Sequence, residues 1–401
     1  MNKTIQTISL GLLTAILFSA FIYFAQYNLI NKLVNTIFGL SAIALFLYIP
    51  KRSILIAGFF IGLFWFYWIG YSFEYQGVGY MTPIVTFSFG IIYLLFFLPL
   101  YFTNRAYLRA FFLFILSFVQ PFDWNWLQIE LLFVDSYIGV YKYQLIAVLL
   151  ALSLPSLLNK KLKYLPLLLL FVAFNYGYKV QKDAPLKIKL IQTEIKQEEK
   201  WKRENLHSTV EMIFKEIQTA KKEGYELVIL PESVFPLFMN RNEALLDKVL
   251  ELSQDINIIA GSLLNENSQN YNVTYLFSHG EFQIAKKLVL VPFGEYIPLP
   301  KFAQKIINDT FFSGASDFIT ADKPTDFIIN GVKFRNAICY EATCQEIYEG
   351  DVTYVIAISN NAWFAPSIEP TLQNLLLKYY ARKNGVTIYH SANYKGTGVI
   401  Q

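Results

Sequence analysis

Residues 225–233 read YELVILPES, an apolar run of strand length that breaks on Pro231 and then presents Glu232. Two later stretches break the same way. FIINGVKFRNAICYE (327–341) turns at Asn330-Gly331 and ends its second apolar run at Cys339, and VTYVIAISNNAWF (352–364) ends in Ser-Asn-Asn. FQIAKKLVLVPFGEY (282–296) carries Lys287 at the head of an apolar run and Glu295 eight residues later. Around these lie LKIKLIQT (186–193), INIIAGSLL (256–264) and YNVTYLF (271–277) as further strands. A hairpin is expected at His279-Gly280, and helical spacing over 199–222 and 243–254. Strands interleaved with helices predict α/β layers, with reactive groups gathered at strand ends.

The rest of the 401-residue chain has a different character. Hydrophobic residues make up 54% and charged ones 16%, against about 25% charged in a soluble domain. The deficit sits in residues 1–180, where the acids are Glu74, Asp123, Glu130 and Asp135. Seven apolar stretches, about 5–25, 33–49, 53–73, 80–102, 107–121, 142–157 and 163–178, are candidate membrane spans. With the N-terminus in the cytoplasm, the inner ends and loops hold Lys3, Lys51, Arg52, Arg105, Arg109, Lys160, Lys161 and Lys163, and the outer ones Lys32, Lys142 and Lys179. Seven spans with that bias put residues 181–401 outside the cytoplasm; the second, fifth and sixth stretches are short, and a count of six would put those residues inside. The stretch 122–140 carries three acids and two tryptophans; it reads as an outer loop on the membrane or as the wall of a lipid-accessible cavity. The overall charge of +4 accompanies apolar spans and is no nucleic-acid signature.

Cys339, Glu232 and Lys287 are the residue types of acyl transfer through a thioester. A thiolate is the nucleophile, a carboxylate takes its proton, and an ammonium steadies the oxyanion. Each also has a plain reading: a turn glutamate, a surface lysine in a Lys-Lys pair, an inert core thiol. Cys339 and Cys344 also stand close enough in sequence to be weighed as a disulfide.

LVILPES, KLVLVPFGEYIP, AICYE and ISNNAWF, with the apolar GFFIGLFWFYWIGYSF (58–73), resemble the apolipoprotein N-acyltransferases, the membrane-bound branch of the nitrilase superfamily. The resemblance implies a polytopic α-helical membrane domain of about seven spans, residues 1–180. An α/β nitrilase-like domain, an α-β-β-α sandwich, follows as residues 181–401. It implies Cys339 as nucleophile, Glu232 as general base and Lys287 as oxyanion-stabilising lysine. Glu295 matches a second glutamate that positions the lysine or the incoming amine, Tyr340 and Glu341 the neighbours of the nucleophile, and Trp201 and Trp363 aromatics near the site. The implied reaction moves an acyl chain from a phospholipid, phosphatidylethanolamine on family grounds, to the α-amine of a diacylglyceryl-cysteine on an apolipoprotein. The setting is a bacterial inner membrane with the site on the periplasmic side. No cofactor and no metal enter, and no nucleic acid is a partner.

Two words depart from the family pattern: Pro370–Asn374 stands where a PWQH-like word is usual, and Tyr380–Val386 where R-A-x-E-x-x-R-P is usual. The family is also expected to continue beyond Gln401 with further strands and a final span. Residues 299–318, with Phe302, Phe311, Phe312 and Phe318, read as core packing or as a mobile lid. The competing functions are a membrane-tethered nitrilase-type amidase, in which water takes the acyl group, and a catalytically decayed membrane scaffold.

Overall fold

The computed structural model describes residues 3–177, 181–292, 294–296 and 318–401. The chain divides into two compact units. One comprises the N-terminal segment up to Tyr178 together with Ser367–Tyr379; the other runs from Lys179 to Pro366 and resumes at Tyr380. The predicted lid, apart from Phe318, falls outside the described residues.

The first unit is helical. Its main helices are Lys3–Gln26, Lys32–Tyr48, Lys51–Phe66, Thr82–Phe96, Ala106–Leu116 and Lys142–Ser153. Three stretches, Lys3–Gln26, Lys51–Tyr75 and Gly79–Phe96, are long and apolar enough to cross a membrane, while Lys32–Tyr48, Ala106–Leu116 and Lys142–Ser156 are apolar but shorter. The seventh expected stretch folds as a four-residue 3-10 turn, Leu165–Leu168, running into a five-residue helix, Leu169–Ala173. Phe174 then leaves helical geometry to bridge Ile138.

Both ends of one helix, Lys32–Tyr48, are closed by side chains. Asn31 accepts from the Leu33 and Val34 amides at the start of Lys32–Tyr48. Buried Arg109 closes the other end, donating through Nη1 to the carbonyls of Phe46, Leu47 and Ile49 and through Nε to that of Thr103. Residues 122–140 are mostly buried in this unit rather than spread over it. Their acids are matched: Glu130 meets Lys142 at 2.5 Å, and Asp135 meets Lys378 at 2.5 Å. With the Thr371–Gln26 hydrogen bond, the second pair gives Ser367–Tyr379 its place in this unit.

Packing between apolar helices gains little from excluding lipid and depends on close approach. Gly58 and Gly62 on Lys51–Phe66 provide it: a Cβ on Gly62 would lie 2.3 Å from the Phe89 carbonyl oxygen, and one on Gly58 2.7 Å from that of Tyr93. Gly90 answers from the facing helix, where a Cβ would strike the Phe59 ring at 2.6 Å.

The second unit holds two five-stranded sheets. The first has the order β1(Ile188–Leu190)–β2(Leu227–Ile229)–β3(Asn257–Glu266)–β4(Gln269–Ser278)–β5(Glu281–Lys286). The second runs β10(Gly398–Ile400)–β9(Thr387–Asn393)–β8(Tyr354–Asn360)–β7(Val332–Ile338)–β6(Asp326–Ile329). In each, two neighbouring pairs are parallel (β1-β2-β3 and β9-β8-β7) and the other two pairs antiparallel. Helices Arg203–Lys222 and Glu243–Leu252 are the crossovers after β1 and β2, and Glu369–Asn384 links β8 to β9. The hairpin turns at His279-Gly280 and Asn330-Gly331 take positive φ at both positions, the geometry that a two-residue turn needs.

Strand alternation splits the core. Val228, Ile258, Val273, Tyr275 and Phe277 pack outward against Ile213, Ile217 and Val249 of the helices. Leu227, Ile229, Ile259 and Leu276 pack inward against Phe334, Ile338, Ile356, Ile358 and Tyr389 of the second sheet. This inter-sheet layer ends where the parallel strands reach their carboxyl ends, the place at which α/β folds leave a crevice.

The close helix packing and a buried histidine of the second sheet make two predictions. Replacing Gly62 by Val forces the two helices apart and lowers the melting temperature in detergent by several degrees; an unchanged melt would remove close packing as the reason for glycine there. Fully buried His390 bonds the Gly396 carbonyl through Nδ1 at 2.8 Å and Ser359 Oγ through Nε2 at 2.9 Å. A carbonyl only accepts, so Nδ1 carries the proton and Nε2 receives the serine hydroxyl. Burial lowers its pKa from 6.5 to about 4. The folded value lies below the unfolded one, so this contribution is whole above pH 6.5 and is lost as pH falls through 4. Unfolding titrations should show about 3 kcal/mol disappearing over that window, and a His390→Gln variant should lack that part of the pH dependence.

Candidate active site

Three chain breaks set the site. β2 ends at Ile229, and Leu230-Pro231 lead to Glu232, followed by Ser233 at φ +47°. Gly261 of β3 lies under this turn; a Cβ there would stand 2.4 Å from the Ser233 nitrogen and 2.6 Å from the Glu232 Cα. The backbone approach therefore demands glycine. β7 ends at Ile338, and Cys339 takes φ +56° before the 3-10 turn Cys339–Thr343. That left-handed conformation is costly for a side chain larger than glycine and occurs most often where function fixes the geometry. Lys287 follows β5, its amide bonded to the Asn272 carbonyl at 2.9 Å.

The side chains meet in a buried cluster. Glu232 is 7% exposed and Lys287 1% exposed. Asn272 Nδ2 donates to Glu232 Oε1 at 2.8 Å. Lys287 Nζ lies 2.8 and 2.7 Å from the two Glu295 oxygens, and Glu295 Oε2 also accepts the Val291 amide at 2.9 Å. Burial works against the charge on Lys287, but Glu295 first, then Glu232 and Cys339, outweigh it and hold its pKa above the ordinary lysine value. Asn272, which bonds the Glu232 carboxylate through its side chain and the Lys287 amide through its carbonyl, joins these two turns directly.

Glu341 builds the frame. Oε1 accepts the Ile338 amide at 2.6 Å, and Oε2 accepts the Leu288 and Val289 amides at 2.6 and 3.1 Å. One carboxylate thus ties the residue before Cys339 to the two residues after Lys287. Burial raises its pKa to about 7, against the pull of Lys287 and the three amides. Tyr340 is buried, and its carbonyl accepts the Thr343 hydroxyl at 2.7 Å. Cys344 is a second free, buried thiol whose Sγ bonds the same carbonyl at 3.5 Å. The disulfide weighed from spacing is therefore not formed.

The two tryptophans stand differently. Trp363 is half-buried in the 3-10 turn Asn361–Phe364 after β8. Trp201 is 45% exposed at the end of the short helix Gln197–Lys200. Its neighbour Lys200, passed over in the sequence, is the residue that enters the cluster: it is 3% exposed and donates to the Glu232 main-chain carbonyl at 2.9 Å. The signal was present in the spacing. Gln197 and Lys200, three apart on a helix, are buried, while Glu198 and Glu199 face out. Asn272 was missed for a similar reason, since one asparagine in a strand carries no motif.

Among the described residues no group of three histidine, cysteine, aspartate or glutamate side chains is placed to hold a metal ion. Chemically the cluster offers a thiol on a strained turn, a carboxylate positioned by an amide, and an ammonium locked to a second carboxylate.

Comparison with known proteins agrees with this construction. Residues 5–176 match the apolipoprotein N-acyltransferase integral membrane domain, and residues 187–396 match the carbon-nitrogen hydrolase family. An apolipoprotein N-acyltransferase of Wolinella succinogenes is 43% identical over 98% of this chain and 96% of its own length. Those of Helicobacter hepaticus and Campylobacter jejuni are each 36% identical, over 94% and 96% of this chain and 98% and 88% of theirs. The chain belongs to the apolipoprotein N-acyltransferase family, membrane-bound acyltransferases of the carbon-nitrogen hydrolase superfamily.

Proposed function

We propose that the chain transfers an acyl group from a phospholipid to the N-terminal diacylglyceryl-cysteine of apolipoproteins through a thioester on Cys339. What supports the reading is the convergence of buried Glu232 and Lys287 with half-buried Cys339, their turns joined through Asn272 and Glu341, in a chain whose N-terminal part matches an integral membrane domain.

In the first half-reaction Glu232 takes the Sγ proton, and the sulfur attacks the carbonyl carbon of an sn-1 ester. Lys287 faces the oxygen on which negative charge develops. The carbon–oxygen bond to glycerol breaks, Glu232 returns the proton to the leaving oxygen, and a lysophospholipid departs. In the second half-reaction the neutral α-amine of the lipid-modified cysteine attacks the thioester carbonyl. Its surplus proton passes to Glu232, the carbon–sulfur bond breaks, the thiolate recovers the proton, and the product is an amide. Glu295 keeps Lys287 charged and aimed, and Glu341 fixes the distance between the Cys339 and Lys287 turns. Trp201, exposed beside the cluster, and Trp363 are assigned to substrate contact. Exclusion of water from the thioester separates this reaction from the hydrolysis of a soluble amidase.

The donor is assigned as phosphatidylethanolamine and the setting as the inner membrane of a bacterium, with the catalytic unit on the periplasmic face. What supports that orientation is the lysine and arginine bias of the loops.

Incubation of the purified protein with phosphatidylethanolamine vesicles should add one acyl chain to Cys339, seen by mass spectrometry, and none to Cys339→Ala. Absence of the adduct from the wild type would overturn the assignment. Glu232→Gln should slow adduct formation about 10²–10⁴-fold. Gly261→Ala, which pushes on the Glu232 turn without touching substrate, should slow it at least tenfold while the fold survives; an unchanged rate would show that the turn tolerates displacement.

A further inference from the structure

The site holds a second buried ammonium. Lys200 lies on a four-residue helix that nothing in the thioester chemistry above requires, yet it is held with care. Asn393 of β9 accepts the Thr193 hydroxyl at 2.8 Å and the Ile195 amide at 2.9 Å, and donates to the Ile195 carbonyl at 2.8 Å. It donates also to Asn360 Oδ1 at 2.8 Å, and Asn360 donates to Gln197 Oε1 at 2.9 Å. The network fixes the segment 193–197, and with it the start of the helix whose last residue points Nζ at the Glu232 carbonyl oxygen, 2.9 Å away.

We infer that Lys200 is a positioning residue whose positive charge, delivered against the Glu232 turn, favours the negative charge that moves between the Glu232 carboxyl and the Cys339 sulfur. The inference deepens the thioester reading and rests on it for its meaning, though the charge can be tested separately.

The geometry supports an electrostatic role in two ways. A neutral donor could also bond the Glu232 carbonyl, more weakly, so the hydrogen bond alone does not require a charge. Burying an ammonium is expensive unless opposite charge repays it, and the two groups whose charges reach Lys200 are Glu232 and Cys339. Burial, opposed by those two groups, lowers its pKa to about 8. Lys287 shares the cluster but is bound at both oxygens of Glu295, whereas the hydrogen bond of Lys200 runs to the Glu232 turn itself. Lys200 thus adds a second positive charge beside Glu232 and the incipient thiolate.

Alkylation of Cys339 by iodoacetamide in a Cys344→Ala background, followed against pH, reads the thiol without any lipid substrate. Relative to wild type, Lys200→Met and Lys200→Gln should move the midpoint upward by about one pH unit, a roughly tenfold slower reaction at pH 7. Lys200→Arg should stay close to wild type. Glutamine keeps a donor for the Glu232 carbonyl, so its shift isolates charge from hydrogen bonding. Equal midpoints in wild type and Lys200→Gln would overturn the inference. So would neutral variants that fail to fold while Lys200→Arg folds, since that would make the role structural. Phosphatidylethanolamine acylation, run in parallel, tells the two proposals apart. A wild type that shows the charge-dependent midpoint but no acyl adduct sinks the acyl-transfer reading alone. A wild type that acylates, with Lys200→Gln matching it in both assays, sinks this one alone.

Discussion

The ion pair between Lys287 and Glu295 is the constraint around which the catalytic unit is arranged. An ammonium that is 1% exposed cannot stand in a protein interior without a partner. Glu295 supplies two oxygens at 2.8 and 2.7 Å and is itself held by the Val291 amide. Removing either partner would strand a buried charge, so the loop from Lys287 to Glu295 closes on itself. Everything nearby is built to the same rule. Glu341 ends on three amides, Glu232 on Asn272, and Lys200 on a carbonyl. The site is a polar cluster at the open end of an apolar inter-sheet layer, and its order comes from satisfied hydrogen bonds more than from packing.

How much of this was legible follows from how local each signal was. The strands before Glu232 and Cys339 announced themselves as apolar runs that stop at polar residues, and the hairpins at His279-Gly280 and Asn330-Gly331 as turn dipeptides, whereas the strand read over 282–291 stops at Lys286 and the apolar run from Lys287 is not strand. The helix Glu369–Asn384 and strands β9 and β10 were not read from the sequence as elements. That helix presents buried Gln373, Glu369 and Arg382 among its apolar residues, which blurs the helical stripe. β9 is buried on both faces and includes His390, Ser391 and Asn393, so neither alternation nor a continuous apolar run marks it. Polar residues buried for the sake of a network look, one at a time, like surface residues. Lys200 is the sharpest instance.

In the helical unit the composition was a sound guide to character and a weaker one to span boundaries. Glu130, Asp135 and the tryptophans at 124 and 126 marked 122–140 as unable to cross lipid, but only the fold shows that they turn inward onto Lys142 and Lys378. Hydropathy counts residues; it does not see a partner more than two hundred positions away. The stretch 163–178 is apolar enough to read as a span, yet Pro166 opens a 3-10 turn and Phe174 pairs with Ile138, so helical length is lost to local geometry.

The placement of Cys339 completes the logic. A thiol in an ordinary strand would have its backbone in the sheet ladder and its side chain in the core, where burial raises its pKa. The left-handed turn at φ +56° lifts it out of β7 immediately after the last paired residue, Ile338. The Glu341 carboxylate braces that turn, binding the Ile338 amide on one side and the Lys287 turn on the other. The strained turn and the buried carboxylate beneath it are therefore one device, and together they hold the sulfur and the ammonium in fixed relation.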